Sequence, residues 1–255
     1  MKLVFIRHGD PDYEIDSLTP DGRIEAQLLA EYLADKRMDE IFVSPLGRAQ
    51  ATASYTLEKL HRTAETMPWL REFNGRVRVW EDPELQAAMP SEYVTDPHTP
   101  LIPWDILPAY LAARPNYFHP ENWRDTEVCK HGDMVEVYES VTAAFDELLK
   151  KHGYARDGKI YRAEENNDKV LVFFCHFGVT CVLLSHLLGI SPFVLWHGFV
   201  SLPTGITVVN TEERVKGIAC FRCERFGDLT HLALGGKAPS FAARFCERFE
   251  DDTMH

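Results

Sequence analysis

Two short polar runs each follow an apolar stretch: Arg7-His8-Gly9 behind Lys2–Ile6, and His176-Phe177-Gly178 behind Lys169–Cys175. An imidazole with an unprotonated ring nitrogen can attack phosphorus if cations neutralise the phosphate oxygens and an acid protonates the leaving oxygen. The chain offers each part. His8 is the candidate nucleophile, Arg7 supplies charge beside it, and Gly9 lets the backbone come close to a phosphate. Arg48 stands just past another apolar run, Ile41–Val43, where its guanidinium fork can grip the same phosphate. His176 can donate to a phosphoryl oxygen as charge builds there, with Phe177 and the backbone donors of a following helix beside it. Glu72 is the candidate proton donor to the leaving oxygen and, afterwards, the base for an incoming water. Each signal has an ordinary alternative: a buried histidine is usually structural, and Glu72 next to Arg71 reads equally as a surface pair. Four such features in chain order, each at the end of an apolar run, favour one shared site.

The elements that must position these residues follow from spacing. Lys2–Ile6, Ile41–Val43 and Lys169–Cys175 read as buried parallel strands, whose carboxyl ends are where open α/β sheets place ligands. Thr19 is the expected N-cap, with Pro20 at the first helical position, of a helix running to about Lys36 with Ile24, Leu28, Leu29, Tyr32 and Leu33 on its buried face. Ser44-Pro45 opens a second helix carrying Ala49, Thr52, Ala53, Thr56, Leu57 and Leu60. Met67–Leu70 is expected as a further strand, Asp133–His152 as an amphipathic helix, and Val179–Leu188 as a helix stopped by Gly189 and Pro192. Gly205–Asn210 and Val215–Phe226 read as two strands of a final meander, and Ser240–Phe249 as a short terminal helix.

Residues 76–132 differ in composition. Prolines at positions 83, 90, 97, 100, 103, 108, 115 and 120 alternate with aromatics, which interrupts regular elements. The stretch is expected to be an insertion in a single domain spanning 1–255, with one or two short helices around Trp104–Ala113, roofing the site. Trp104, Tyr110, Tyr117, Trp123 and Arg124 are its candidates for substrate contact or, alternatively, for a small satellite core, and Lys130 and His131 are left open.

At 255 residues and 45% hydrophobic the chain can bury a substantial core. A formal net charge of −12, from 39 acidic and 27 basic residues, argues against nucleic acid and anionic membranes as partners. No apolar run approaches the roughly 20 residues of a spanning helix, and the N-terminus lacks a secretory apolar core, so a cytoplasmic protein is expected, a monomer or a homodimer. Six cysteines without tight spacing read as thiols rather than a disulfide framework, and the lone Cys220/Cys223 pair lacks the partners a zinc site needs.

In chain order the motifs resemble those of the histidine phosphatase superfamily, in its phosphoglycerate mutase-like branch. Arg7-His8-Gly9 is similar to its RHG motif, and Leu18-Thr19 with Gly22 and Ala26 to its LTxxGxxQA-like helix start. Ser44 to Ala49 with Thr52 resembles its SxxxRAxxT element, Leu70-Arg71-Glu72 with Gly75 the segment bearing its catalytic acid, and Cys175–Gly178 its second histidine loop. The resemblance runs from position 2 to about 210, with Asp10-Pro11 and Phe177 departing from the usual residues. It implies a three-layer α/β sandwich with a mostly parallel mixed sheet flanked by helices. It also implies a phosphohistidine at His8, a phosphate pocket of Arg7, Arg48 and His176, and no metal or organic cofactor. The expected activity is hydrolysis of a small phosphorylated metabolite. The segment Pro11–Asp16 lacks the Asn and Trp of the family's dedicated mutases, and its acidity opposes a bisphosphorylated sugar acid. A mutase-type phosphotransferase is the first alternative. A catalytically silent binding protein is the second, although His8, Arg48 and His176 are all retained.

Overall fold

The computed structural model describes residues 1–87, 89, 96, 98–165, 167–240, 247–248 and 251–254. In chain order the elements begin with β1 (Lys2–Arg7), β2 (Pro11–Asp12), β3 (Ser17–Leu18), α1 (Pro20–Leu33), β4 (Glu40–Val43), α2 (Gly47–Leu60) and β5 (Glu65–Thr66). Short helices α3 (Pro83–Ala87), α4 (Pro108–Ala112) and α5 (Glu127–Lys130) lead to α6 (Met134–Lys151). Then come β6 (Tyr154–Asp157), β7 (Ile160–Ala163), β8 (Val170–Cys175), α7 (Phe177–Leu188) and α8 (Pro192–Gly198). The chain ends with β9 (Ile206–Val215), β10 (Ile218–Asp228), α9 (Thr230–Leu234), β11 (Glu247–Arg248) and β12 (Asp251–Met254).

One eight-stranded mixed sheet, in the order β5-β4-β8-β1-β9-β10-β7-β6, is the centre of the molecule. Strands β5, β4, β8 and β1 run parallel, and β9 onward continues the sheet antiparallel. Side chains of a strand alternate between faces, and the two faces collect different partners. Leu3, Phe5, Phe42 and Phe173 join Phe145 of α6, Val182 of α7 and Phe193 of α8. Val4, Ile6, Ile41, Val43 and Phe174 join Leu29 and Leu33 of α1 and Ala53 of α2. The result is the expected helix–sheet–helix sandwich, with the strands that are apolar along their whole length buried on both faces.

Thr19 caps α1 by accepting the Gly22 N–H, with Pro20 in the first turn. The helix stops at Leu33, short of the expected Lys36, and its buried face is rotated: Ile24 is 48% exposed while Glu25 is buried. Glu25 tolerates burial because its carboxylate accepts the backbone N–H of Asp10 (2.9 Å) and of Ser240 (3.0 Å). The strand expected at Met67–Leu70 lies earlier, at Glu65–Thr66. Met67 N–H still reaches Val43 O (2.9 Å), but Pro68 has no N–H to continue the ladder and opens a 3₁₀ turn over Pro68–Leu70. The hairpin β6–β7 was not expected, although Asp157-Gly158, with Gly158 at φ 62°, is a legible turn signal. The expected helix Ser240–Phe249 falls largely on 241–246 and 249, outside the described residues, while Glu247–Arg248 within it pairs as a strand with β12.

The 76–132 segment holds the short helices expected around Trp104–Ala113, as a 3₁₀ turn at Pro103–Asp105 and α4. Leu85, Leu101, Tyr110, Leu111, Tyr117, Trp123 and Val128 from it join the same apolar layer as Phe5 and Phe173. No helix among the described residues is long and apolar enough to cross a membrane.

Candidate active site

The site is assembled at the carboxyl ends of adjacent parallel strands. Arg7 pairs with Cys175 in the sheet, His8 N–H donates to Cys175 O (3.0 Å), and Ser44 N–H donates to Phe174 O (2.9 Å). The ladder therefore delivers His8, Ser44 and His176 side by side, at the edge where such sheets bind ligands. The His8 and His176 rings lie 5.1 Å apart between centroids.

His8 is almost fully buried, and its Nδ1 lies 2.7 Å from Gly9 O. A carbonyl only accepts, so Nδ1 carries the ring proton and Nε2 is left with its lone pair. Burial, and then the Arg7 and Arg48 charges, push the His8 pKa well below the usual histidine value against the small opposing effect of Gly9 O. A low pKa keeps the imidazole neutral, as a nucleophile requires. His176 Nε2 lies 2.7 Å from Ser44 Oγ, which already accepts the Leu46 N–H (3.2 Å). The other ring nitrogen, Nδ1, is buried with no partner among the described residues, and it carries the proton in the tautomer in which the Ser44 hydroxyl donates to Nε2. Burial, His8, Arg48 and Arg7 together depress the His176 pKa as well.

A cleft of about 390 Å³ opens beside the two rings, lined by Arg7, Arg48, Arg71, Glu72, Arg76, Trp104 and Phe177 among others. Arg7 is buried, with Nη1 donating to Ser201 O (2.5 Å) and its N–H to Gly205 O (3.1 Å). The same loop braces His8, whose carbonyl accepts the Thr204 N–H (3.1 Å). Thr204 is left-handed at φ 57°, an uncommon conformation for a β-branched residue, and its Oγ1 is 2.8 Å from His231 Nε2. Arg48 donates to Asp16 Oδ1 (2.6 Å), and Asp16 Oδ2 accepts the Gly47 N–H (2.7 Å). Burial pushes the Asp16 carboxyl up, but the Gly47 N–H and the Arg48 guanidinium outweigh it and hold the group below the usual range.

Glu72 is held by backbone. Its Oε1 accepts the N–H of Phe73 (2.8 Å) and of Val179 (3.0 Å), while Oε2 makes no hydrogen bond among the described residues. Burial pushes the Glu72 pKa up, against the Phe73 N–H, the Arg7 charge and the N–H groups of Val179 and Gly178. A carboxyl so placed carries a proton more readily than an exposed one, and Oε2 is the oxygen free to give it away. Gly178 makes the arrangement possible: a Cβ there would sit 2.4 Å from the Trp104 ring and 2.7 Å from Glu72 Oε1.

Arg7, Arg48, Glu72 and Phe177 thus line one cleft, and His8 and His176 are buried behind it, near enough to Arg7 and Arg48 to feel their charges. Glu72 is not an ordinary surface pair with Arg71. Two expectations need different reasons. The Gly9 N–H is taken by Thr52 Oγ1 (2.9 Å), and a Cβ on Gly9 would meet Gly22 O at 2.8 Å, so the small residue serves chain packing rather than phosphate approach. The Val179 N–H at the start of α7 holds Glu72 rather than a phosphate. Of the insertion candidates only Trp104 lines the cleft. Tyr110, Tyr117 and Trp123 are buried in the core, and Arg124 lies over the Trp123 ring at 4.5 Å. Lys130 pairs with Glu127, and His131 lies among Glu81, Asp82 and Glu127, none of them lining the cleft. Ser44, Asp16 and Thr52 support the site although none was expected to have a site role, Ser44 and Thr52 having been read as motif and helix residues. For Ser44 and Thr52 the strand end and helix start were the available signal, whereas for Asp16 there was none. Cys220 and Cys223 are free thiols on β10.

Comparison with known proteins bears on the motifs and on the fold. Residues 3–104 match the family described as the histidine phosphatase superfamily (branch 1). No curated protein matches the chain in sequence. A phosphoserine phosphatase from Entamoeba histolytica solved with phosphoserine superposes with a TM-score of 0.54 at 17% identity, over 91% of this chain and 98% of that one. The same enzyme solved with 3-phosphoglyceric acid gives 0.52 at 19%, over 91% and 98%. A mycobacterial glucosyl-3-phosphoglycerate phosphatase solved with inorganic phosphate gives 0.57 at 20%, over 90% and 98%. At these identities the likeness is one of fold: a mixed sheet between helices in the phosphoglycerate mutase-like arrangement. The Arg-His-Gly strand end, Arg48 and Glu72 all lie inside the stretch that is similar to the histidine phosphatase superfamily (branch 1).

Proposed function

We propose that the chain is a phosphomonoester hydrolase that acts on a small phosphorylated metabolite through a phosphohistidine at His8. The observation that carries this reading is the fixed tautomer: Nδ1–H is engaged by Gly9 O, so the buried, neutral ring offers Nε2 beside an arginine-lined cleft. Arg7 and Arg48 take the phosphate oxygens, and His176 Nδ1–H donates to the same group. Nε2 attacks phosphorus as the ester P–O bond breaks, and Glu72 Oε2 gives its proton to the leaving oxygen. The alcohol departs. Glu72, now a carboxylate, takes a proton from a water that attacks the phosphohistidine, the P–N bond breaks, and phosphate leaves with His8 restored. Arginines supply the positive charge this sequence needs, so no metal enters the scheme. The phosphoserine and glucosyl-3-phosphoglycerate phosphatases that share the fold support a small phosphorylated metabolite as substrate. The chain's net charge of −12 argues against nucleic acid.

The test is phosphate release from a panel of phosphorylated metabolites in the presence of a chelator. His8→Ala is expected to lose at least ~10³-fold in kcat, as removal of a nucleophile does. Rapid quenching of the wild type should trap an acid-labile, alkali-stable phosphoryl group on His8. Phosphate release that survives in His8→Ala refutes the mechanism, and transfer between positions of a sugar acid without release assigns the chain as a mutase instead.

A further inference from the structure

The cleft holds more positive charge than one phosphate calls for. Four arginines line it, Arg7, Arg48, Arg71 and Arg76, and Glu72 is its only acidic residue among the described ones. Glu72 is itself pushed toward its neutral form by burial. Arg7 and Arg48 stand with the two histidines. Arg48 has the Asp16 carboxylate at 2.6 Å, so the acidity of the Pro11–Asp16 segment is partly spent on that arginine rather than projected into the cleft. Arg71 and Arg76 have no ion-pair partner within 4.0 Å among the described residues, and Arg76 Nη1 is buried without any hydrogen-bond partner. Asp105 senses the Arg76 charge, which opposes the upward push of burial on its carboxyl, but Asp105 does not line the cleft. A buried guanidinium nitrogen with nothing to donate to is costly unless a ligand meets it.

The backbone of Arg76 is fixed, so its side chain starts from a defined place. Arg76 N–H donates to Asp133 Oδ1 (2.6 Å), its carbonyl accepts the Asp133 N–H (3.3 Å), and Gly132 packs so close that a Cβ there would be 1.9 Å from Arg76 O. Position along the chain says which part of a substrate these arginines meet. Arg71, Asn74 and Arg76 flank Glu72, the residue that protonates the leaving oxygen, and all four line the cleft. The Arg71 charge is also felt by His176, on the phosphoryl side, whereas the Arg76 charge is felt by neither histidine, so Arg76 is the arginine assigned to the leaving alcohol. Phe73, Ile102 and Trp104 give the same region an apolar wall, and about 390 Å³ is the small end of the range for ligand pockets.

Resting on the hydrolase reading above, we infer that the substrate carries a second anionic group, a carboxylate or a second phosphate, on its leaving-alcohol portion, and that Arg76, assisted by Arg71, grips it. A charge-assisted fork to such a group stabilises the bound state by enough to give about tenfold or more in kcat/KM.

The test uses matched pairs that differ only in the second group. Glycerol 3-phosphate is compared with 3-phosphoglycerate, and propane-1,3-diol monophosphate with its bisphosphate, on the wild type, Arg76→Met, Arg76→Lys and Arg71→Met. The wild type should prefer at least one doubly anionic partner about tenfold or more, and which pair shows the preference tells carboxylate from phosphate. Arg76→Met should collapse that ratio about tenfold, through KM rather than kcat, with Arg76→Lys recovering part of it. A wild type indifferent to the second group overturns the inference. So does an Arg76→Met variant that weakens both members of each pair equally, which is what a merely structural arginine does. Calorimetric binding of the same four compounds to His8→Ala separates the two readings: a preference there stands even if the wild type releases no phosphate, and equal or absent binding overturns it.

Discussion

Glu72 and His8 are tuned in opposite directions by the same burial. Removing water disfavours charge on both, so the carboxyl pKa rises and the imidazole pKa falls. At neutral pH His8, the proposed nucleophile, is thereby unprotonated, while Glu72, the proposed acid, keeps its proton to higher pH than a free glutamate. The sign for catalysis follows. Activity toward an alkyl phosphate should fall at low pH as His8 gains its proton, at a pH well below the ordinary histidine value, and fall at high pH as Glu72 ionises through its raised pKa. Glu72→Gln should lower kcat on an alkyl phosphate about 10²–10⁴-fold and abolish the Glu72-dependent limb of the pH profile. An aryl phosphate, whose leaving group needs no proton, should lose much less in the phosphorylation step. A single-turnover series with both substrates checks this, and equal losses on both would remove Glu72 from the role of acid.

At the scale of elements, the site depends on α7 meeting the loop after β5 and the Pro103–Asp105 turn at one point. His176 is the N-cap residue of α7, and the first turn of that helix holds Glu72 through Val179 N–H. Gly178, between them, is where the Trp104 ring and Glu72 Oε1 both press in. Its backbone needs no left-handed angle, so the requirement is for space alone. Gly178→Ala should therefore fold, at a cost of ~1–3 kcal/mol for overpacking, while displacing Glu72 or Trp104 and lowering kcat by about tenfold or more. Thermal melting together with kcat on an alkyl phosphate reads both effects. A variant with wild-type kcat would show that Trp104 and Glu72 can yield without consequence.

Across the whole molecule, residues 76–132 supply part of the cleft wall and a large part of the core. Trp104 and Ile102 reach the cleft, but Trp123 is 1% exposed and packs edge-on against Tyr138 of α6 at 4.9 Å and Phe193 of α8 at 6.2 Å. Trp123→Ala should cost ~3–5 kcal/mol, which for a chain of this size lowers Tm by about 10 °C. Differential scanning calorimetry checks it. A shift of only a degree or two would mean that the segment is an appendage hung on the sandwich.

Much of this protein was legible in the sequence because the information was local. Strands β1, β4 and β8 are apolar along their length, Thr19-Pro20 is a helix start, and Gly189 is a helix stop, each decided by neighbours in the chain. The strand-end rule then placed His8, Arg48 and His176 together. Local patterns misled where a distant group decided: Glu25 took the buried position expected of Ile24 because Asp10 and Ser240 donate to its carboxylate, and Pro68 displaced a strand by two residues. Pairing with Arg48 gave Asp16 its role, and burial in the shared core gave one to Tyr117 and Trp123, neither visible from spacing. Residue types and periodicity determined the strands β1, β4 and β8, most of the helices and which two histidines stand together. Only the tertiary structure decided which ring nitrogen of His8 is free, which oxygen of Glu72 is held by backbone N–H groups, and that Arg71 and Arg76 share the cleft. Those properties arise from desolvation and from hydrogen bonds between residues far apart in the chain, and no local pattern encodes them.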